Sequence, residues 1–86
     1  MQTKINFADG TSIVLNDGDS LIPIRLIDVD GTPSASLTPP VELHWHHHDG
    51  LIPSILDVLL TSEYFKVVGK PDIVYGTKTV VSITNL

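Results

Sequence analysis

The stretch KINFADGTSIVL, residues 4–15, decides the fold class, because two short β-prone runs flank an Asp-Gly turn. Lys4–Phe7 and Thr11–Leu15 are the two runs, and Ala8-Asp9-Gly10 joins them. A pair of such runs around this dipeptide predicts a β-hairpin. The same turn signal recurs along the chain, with aspartate directly before glycine at positions 9, 17, 30 and 49.

Further β-prone runs lie on the C-terminal side of this hairpin. The predicted strands are Leu21–Val29, Val41–His47, Tyr64–Val68, Ile73–Tyr75 and Thr79–Thr84, separated by turns at Asn16–Ser20, Asp49–Gly50, Gly69–Asp72 and Gly76–Lys78. Pro23 has no backbone donor, which predicts an edge position or a bulge. Asp30–Pro40, DGTPSASLTPP, holds three prolines among Ser and Thr, and we expect a mobile loop that crosses between strands.

One helix is predicted where Pro53 can occupy a first turn, since its missing N–H is not needed there. Ser54 followed by Asp57 resembles a capping arrangement. These two residues and Thr61 form a narrow polar stripe, and the rest of the helix is apolar: Ile55, Leu56, Val58, Leu59 and Leu60. A helix with so much apolar surface is expected to be buried on more than one side, partly by a partner.

These elements predict an α+β fold: a small, mostly antiparallel β-sheet or partly rolled barrel of about six strands with one short helix. The chain of 86 residues has room for a single domain, 1–86. It is 42% hydrophobic and 17% charged, against about 25% charged in a typical soluble domain. A domain this small and apolar is expected to expose apolar patches, which predicts a homo-oligomer.

The charge pattern excludes several classes of function. The net charge is −5, but most acidic residues belong to turns, and the five basic residues are scattered, so we expect no nucleic-acid binding. The chain has no cysteine, which excludes disulfides and thiolate metal sites. Its apolar clusters are shorter than the roughly 20 residues of a membrane span, so a soluble cytoplasmic protein is expected.

All four histidines lie in HWHHHDG, residues 44–50. If Val41–His47 is a strand, alternation places one row of side chains together: Glu42, His44, His46 and His48. The preferred interpretation is a strand that runs into a turn, with structural or surface histidines. A zinc site on His44, His46 and His48, with Glu42 or Asp49 as a further ligand, is the first alternative.

A second alternative is a pH-sensitive or partner-contacting patch, because histidines gain positive charge near about pH 6.5. A turn over His46–Gly50 would scatter the side chains and remove the row of ligands. Other motifs are weaker: DVDG and DGDS look like fragments of a calcium loop but lack its distal glutamate, so turn acids are preferred. No nucleophile-elbow motif is present, and neither catalytic residues nor a resident cofactor are predicted.

The chain resembles, in its general style, small uncharacterised proteins encoded by phages and prophages of Gram-positive bacteria. Three segments carry the resemblance: INFADGTSIVLNDG (5–18), HDGLIPSILDVLL (48–60) and TVVSITNL (79–86). The resemblance implies a virion or tail-associated building block, or a small accessory protein of the infected cell. It therefore implies a location in the host cytoplasm or the virion, and it assigns no functional residues.

The leading functional hypothesis is a non-enzymatic protein-interaction or assembly module that associates with itself and with another protein. The expected interface anchors are Trp45, Leu56, Leu59 and Leu60, with the Asp30–Pro40 segment available for partner contact. One alternative is a small phage-encoded inhibitor that binds a host protein. Another is a metal-binding protein or metalloenzyme built on the histidine cluster.

Overall fold

The computed structural model describes residues 1–70 and 72–86. These residues form eight strands and one α-helix, in the order β1 Gln2–Phe7, β2 Ser12–Asn16, β3 Ser20–Val29, β4 Thr32–Leu37, β5 Val41–Glu42, α1 Ile52–Thr61, β6 Tyr64–Val67, β7 Tyr75–Gly76 and β8 Val80–Asn85. A short 3-10 turn over Thr77–Thr79 precedes β8. The predicted α+β class with mostly antiparallel strands and one short helix is confirmed.

The strands form two antiparallel sheets. One has the order β2-β1-β8, and the other has the order β4-β3-β6-β7, with β5 beside β3. Within the described residues neither sheet closes into a barrel, so the open form is the one observed. The strand count is higher than predicted mainly because of β4.

The hairpin of β1 and β2 is confirmed. Ile5 pairs with Ile13 at its centre, and Gly10 has a φ of +88°, which a glycine adopts without steric cost. The turn is closed by the carboxylate of Asp9, which accepts hydrogen bonds from the Thr11 hydroxyl at 2.6 Å and the Thr11 amide at 3.0 Å. Hydrogen bonds from the Thr11 hydroxyl, and then from its amide, lower the pKa of Asp9, because they favour the ionised carboxylate.

A pH-dependent contribution to stability follows from this turn. The pKa of Asp9 is lower in the folded chain, so the turn stabilises the fold at neutral pH and loses this effect as the pH falls below about 4. We expect Asp9→Ala to lower the urea midpoint at pH 7 and to differ less from the parent at pH 2.5. Thr11→Val, which removes one of the two bonds, should show a smaller loss with the same trend. An equal loss at both pH values would contradict this role of Asp9.

The core lies where the two sheets and the helix meet. Strand alternation places Ile5 and Leu15 of the first sheet and Leu21 and Phe65 of the second in one buried cluster, which Ile55 and Val58 of α1 complete. Aromatic rings link the sheets, because Tyr75 stacks on Phe7 with centroids 5.0 Å apart and on Phe65 at 5.3 Å. Such ring pairs add stability beyond the area they bury.

The prediction of a loop over Asp30–Pro40 is wrong. Thr32–Leu37 is β4, which pairs with β3 from Val29↔Thr32 to Ile24↔Leu37. Asp30 and Gly31 have φ values of +52° and +80°, as in the two-residue turns that match the twist of a hairpin. Pro33 is compatible with β4 because this strand lies at the edge of its sheet, where a missing donor breaks no ladder bond.

Pro23 does not lie in an edge strand, so the edge alternative of the prediction there is wrong. β3 pairs with β6 on one side and with β4 and β5 on the other. Pro23 falls where β4 gives way to β5, and its carbonyl accepts hydrogen bonds from the amide and the hydroxyl of Thr38. A residue without an N–H is tolerated inside this sheet because the ladder on that side is interrupted at that point.

The helix begins without the predicted capping arrangement. Leu51 is the N-cap, and in the described part of the chain no side chain caps the helix start, although Pro53 lies in the first turn as expected. Ile55 and Val58 are buried, whereas Leu56 and Leu60 are exposed. The chain itself therefore covers one side of the helix rather than two.

The last strands are shifted from their predicted positions. β7 is limited to Tyr75–Gly76, and β8 runs one residue later than predicted, over Val80–Asn85. The predicted Gly69–Asp72 turn begins with Gly69 at φ +96°, and its Pro71 lies outside the described residues. Among those described, no helix has the length and apolarity needed to cross a membrane.

Candidate functional site

Residues 44–50, here called the histidine loop, form a closed loop rather than a strand. The predicted strand over Val41–His47 is therefore wrong beyond Glu42. Leu43 is buried, and its amide and carbonyl bond to Asp19 and Gly18 of the β2–β3 turn. His46 then exchanges two backbone hydrogen bonds with Gly50, of 2.8 and 3.0 Å, around a turn over residues 47–49. The segment leaves the sheet because its backbone groups form hydrogen bonds with turn residues instead of with a neighbouring strand.

The turn scatters the histidine side chains. All four are exposed, and the rings of His47 and His48 meet edge to face with centroids 4.4 Å apart. Across residues 1–70 and 72–86, no three His, Asp or Glu side chains come close enough to hold a metal ion. The predicted row of His44, His46 and His48 with Glu42 or Asp49 is therefore not formed, and the metal-binding alternative loses the strand geometry on which it depended.

Ser54 holds the histidine loop against the helix. Its hydroxyl accepts a hydrogen bond from the His44 amide at 3.2 Å and donates one to the His44 carbonyl at 3.3 Å. Nε2 of the His46 ring lies 3.4 Å from the same oxygen. Since both backbone groups of His44 engage this hydroxyl, Ser54 has a structural role in place of the predicted capping role.

Asn85 holds the other side of the histidine loop and acts as a clamp on it. The side-chain amide of Asn85 accepts a hydrogen bond from the buried Thr3 hydroxyl at 2.8 Å and donates one to the Asp49 carbonyl at 2.9 Å. Gly50 is buried against this amide with a φ of +61°. The loop is thus held by hydrogen bonds to β8, which in turn bonds to β1.

The four predicted interface residues do not form one surface. Leu56 and Leu59 line a shallow groove between α1 and β8, here called the helix groove, with a cavity volume of about 360 Å³. Leu60 is 81% exposed beside it. Trp45 is half-buried against the core, its amide donates to the Asp17 carboxylate, and it is not among the described residues that line the helix groove.

The structure shows a projecting hairpin over Arg25–Leu37, here called the arm, which overlaps the Asp30–Pro40 segment that was expected to be available for partner contact. β3 is buried up to Ile24, and every residue from Arg25 to Val29 is exposed. The apolar residues of the arm face solvent on both sides, with Leu26 63% exposed on one side and Val29 50% exposed on the other. The molecule is correspondingly elongated, with dimensions of 44 × 26 × 22 Å.

A groove lies at the foot of the arm and is here called the base groove. Its cavity volume is about 410 Å³, and its apolar lining comes from Ile24, Leu26, Ala35 and Tyr64. Three charged residues also line it: Arg25, Glu63 and Lys78. The Glu63 carboxylate accepts a hydrogen bond from the Leu26 amide at 2.7 Å, just before the start of β6. Arg25 donates from Nε to the Thr61 carbonyl at 2.9 Å.

One sequence signal could have revealed the arm. Asp30-Gly31 is the same dipeptide that marks the first hairpin, and a β-prone run ends directly before it at Val29. No protein-family model matches the chain, and neither a curated protein nor a solved structure is significantly similar to it.

Proposed function

We propose that this chain is a non-enzymatic protein-interaction or assembly module that associates with itself through apolar surface. The observation that carries the proposal is the exposed apolar surface of the arm. Monomeric soluble proteins rarely expose contiguous apolar patches beyond a few hundred Å², and larger ones mark contact sites. A hairpin of two strands is also marginally stable by itself in water, so a projecting arm gains order from a partner.

The surroundings of the arm support an interface there more than at the other exposed apolar surface. The arm presents Leu26 and Leu37 on one side and Ile27 and Val29 on the other. The helix groove offers Leu56, which is 40% exposed, and the neighbouring Leu60. A role in a phage particle, in its tail or in the infected cell stays a prediction from the resemblance alone.

We expect the untagged protein to form a reversible oligomer, and Leu26→Ser to shift it toward the monomer. Leu26 is more than half exposed, so the substitution should change the free energy of unfolding by less than about 0.5 kcal/mol. Sedimentation velocity over a concentration series measures the association. Leu60→Ser removes a similar side chain at an exposed position on the helix and is the matched control.

The outcomes separate the surfaces. A parent protein that stays monomeric at every concentration would overturn the proposed function. Association that survives Leu26→Ser but is lost in Leu60→Ser would move the interface to the helix groove and to the anchors predicted there.

A further inference from the structure

We infer that the arm of one copy of this chain adds its edge strand, β4, to β8 of the next copy, with the apolar side of β4 in the helix groove. This inference rests on the proposed self-association and assigns it two unlike surfaces, one on each protomer. A contact between unlike surfaces is heterologous, so the end copies of an open assembly keep one free arm and one free helix groove.

β4 has a free backbone edge on the side away from β3. The Thr38 amide bonds to the Pro23 carbonyl, so these two residues form a hydrogen-bonded pair. Bonded and non-bonded pairs alternate along an antiparallel ladder, which turns the backbone groups of Ala35 and Leu37 away from β3. Within the described residues these groups have no backbone partner. β4 can therefore pair with a strand of another chain.

β8 has a free backbone edge of the same kind. It lies at one edge of its sheet, with β1 as its neighbour. The Leu86 amide bonds to the Gln2 carbonyl, which makes this pair a hydrogen-bonded one. The same alternation then turns the backbone groups of Ile83 and Asn85 away from β1. In the part of the chain that the structure describes, these groups also lack a backbone partner, so β4 of one copy and β8 of another can satisfy each other.

The helix groove lies beside the free edge of β8 and determines which strand fits there. Its apolar lining comes from α1 and β8: Ile52, Leu56, Leu59, Val80, Val81 and Ile83. In a strand added to β8, every second side chain would face this groove. Strand addition gains its affinity from backbone hydrogen bonds and its specificity from such alternate side chains. The groove therefore selects an extended segment with an apolar residue at every second position.

β4 has this pattern. Ala35 and Leu37 expose their side chains on one side of the arm, and Ser36 lies between them on the other side. Leu26, the partner of Ala35 in β3, widens the apolar side. Residues 32–37 carry no charge, and no charged residue is among the described residues that line the helix groove. No charge would lose its hydration in the contact, so a second copy of this chain is the occupant.

One antiparallel register joins the two edges. With Ala35 opposite Ile83, each residue accepts the amide of the other, and Leu37 lies beside Val81 in the helix groove. Ser36 then lies opposite Ser82 in a non-hydrogen-bonded pair, whose Cα atoms are about 4.5 Å apart. The register is antiparallel because antiparallel pairing is the more stable kind and is the kind that both sheets of this chain use.

Complementary variants test the contact. Leu37→Asp places a charge on the arm and Leu56→Asp places one in the helix groove, so each should weaken self-association at least about tenfold. An equimolar mixture of the two should form a dimer with the affinity of the parent and no larger species. The reason is that the Leu56→Asp copy keeps its arm and the Leu37→Asp copy keeps its groove.

Sedimentation velocity measures these associations, and circular dichroism melting confirms that each variant is folded. Leu60→Asp is the matched control, since Leu60 is exposed on the same helix and is not among the described residues that line the helix groove. It should leave the association constant within about twofold of the parent.

Engineered cysteines test the register, because the chain has no cysteine of its own. A mixture of Ser36→Cys and Ser82→Cys should form a disulfide-linked dimer on oxidation, since Cα atoms about 4.5 Å apart are within disulfide reach. Neither variant should form this dimer alone. Ser34→Cys is the control partner for Ser82→Cys and should cross-link far less, because diagonal neighbours are about 7–8 Å apart. Equal yields from the two mixtures in non-reducing gel electrophoresis would overturn the inference.

The failure of this inference is distinguishable from the failure of the proposed function. If the parent associates while Leu37→Asp or Leu56→Asp associates equally well, or while their mixture stays monomeric, the contact between arm and helix groove is wrong and self-association stands. If the parent is monomeric at every concentration, both are wrong.

Discussion

Phe65→Ala is expected to remove most of the protein's stability at 25 °C. The Phe65 side chain is fully buried, stacks on Tyr75 and lies in the cluster shared by both sheets and the helix. Truncation of a buried phenylalanine costs about 3–5 kcal/mol, and a whole domain has only about 5–15 kcal/mol, with small domains at the lower end. Urea unfolding followed by far-UV circular dichroism measures the loss.

Tyr64→Ala is the matched control for this experiment. Tyr64 is the neighbouring residue of the same strand, but its side chain is 53% exposed on the opposite face. We expect it to cost less than half as much free energy of unfolding as Phe65→Ala. Comparable losses for the two variants would contradict the placement of the core on the Phe65 side of β6.

Gly50→Ala is expected to destabilise the protein strongly, although it adds a single methyl group. The new Cβ would overlap the side-chain amide of Asn85, and φ at this position is +61°, where residues other than glycine pay about 1–2 kcal/mol. Displacing Asn85 would also break its bonds to Thr3 and Asp49, and a buried group left without its partner costs about 1–3 kcal/mol. The expected total is about 2–5 kcal/mol, measured as a fall in the free energy of unfolding.

Gly18→Ala separates the two causes. Gly18 also has a positive φ, of +89°, but among the described residues no atom outside its immediate chain neighbours lies within 4 Å of the added Cβ. This variant should pay the backbone cost alone. If both variants lose the same stability, the contact between Gly50 and Asn85 contributes nothing and the clamp on the histidine loop is not important.

The elements that could be predicted are those fixed by local chemistry. The first hairpin depends on Asp9 and Gly10, whose turn conformation is set within three residues. The helix depends on a dense apolar run after Pro53, but its buried side could not be predicted from that run, since Ser54 is buried while Leu56 and Leu60 are exposed. In both cases the sequence neighbours that determine the structure are also its contacts.

β4 could not be predicted from composition because its residues are poor strand formers. Pro and Ala are depleted in strands, yet Thr32–Leu37 becomes one by pairing along β3. The Asp30-Gly31 turn brings β3 and β4 together. Most of the β-branched residues in this hairpin belong to β3. A proline that would disrupt a central strand is accepted because β4 lies at the edge of the sheet.

The histidine segment was assigned to a strand because its alternation looked regular. Its conformation is set instead by distant residues, since Asp19 and Gly18 bind the backbone of Leu43, and Asn85 fixes the carbonyl of Asp49. Contacts between residues so far apart in the sequence cannot be recognised from the local sequence pattern. The exposure of the apolar residues of β3 beyond Ile24 could not be predicted for a related reason, because an exposed apolar residue in a strand and a buried one have the same letters.

The pairing of β1 with β8 has a consequence for synthesis on the ribosome. Thr3 pairs with Asn85, so β1 and β2 can form their hairpin early while β1 waits for its other neighbour. At about 5–20 residues per second, the delay between residues 16 and 85 is roughly 3–14 seconds. During that interval one edge of β1 exposes unpaired backbone groups that can bind a strand of another chain. The speed of translation, or a chaperone that covers this edge, should therefore determine what fraction of the chains avoids aggregation in the cell.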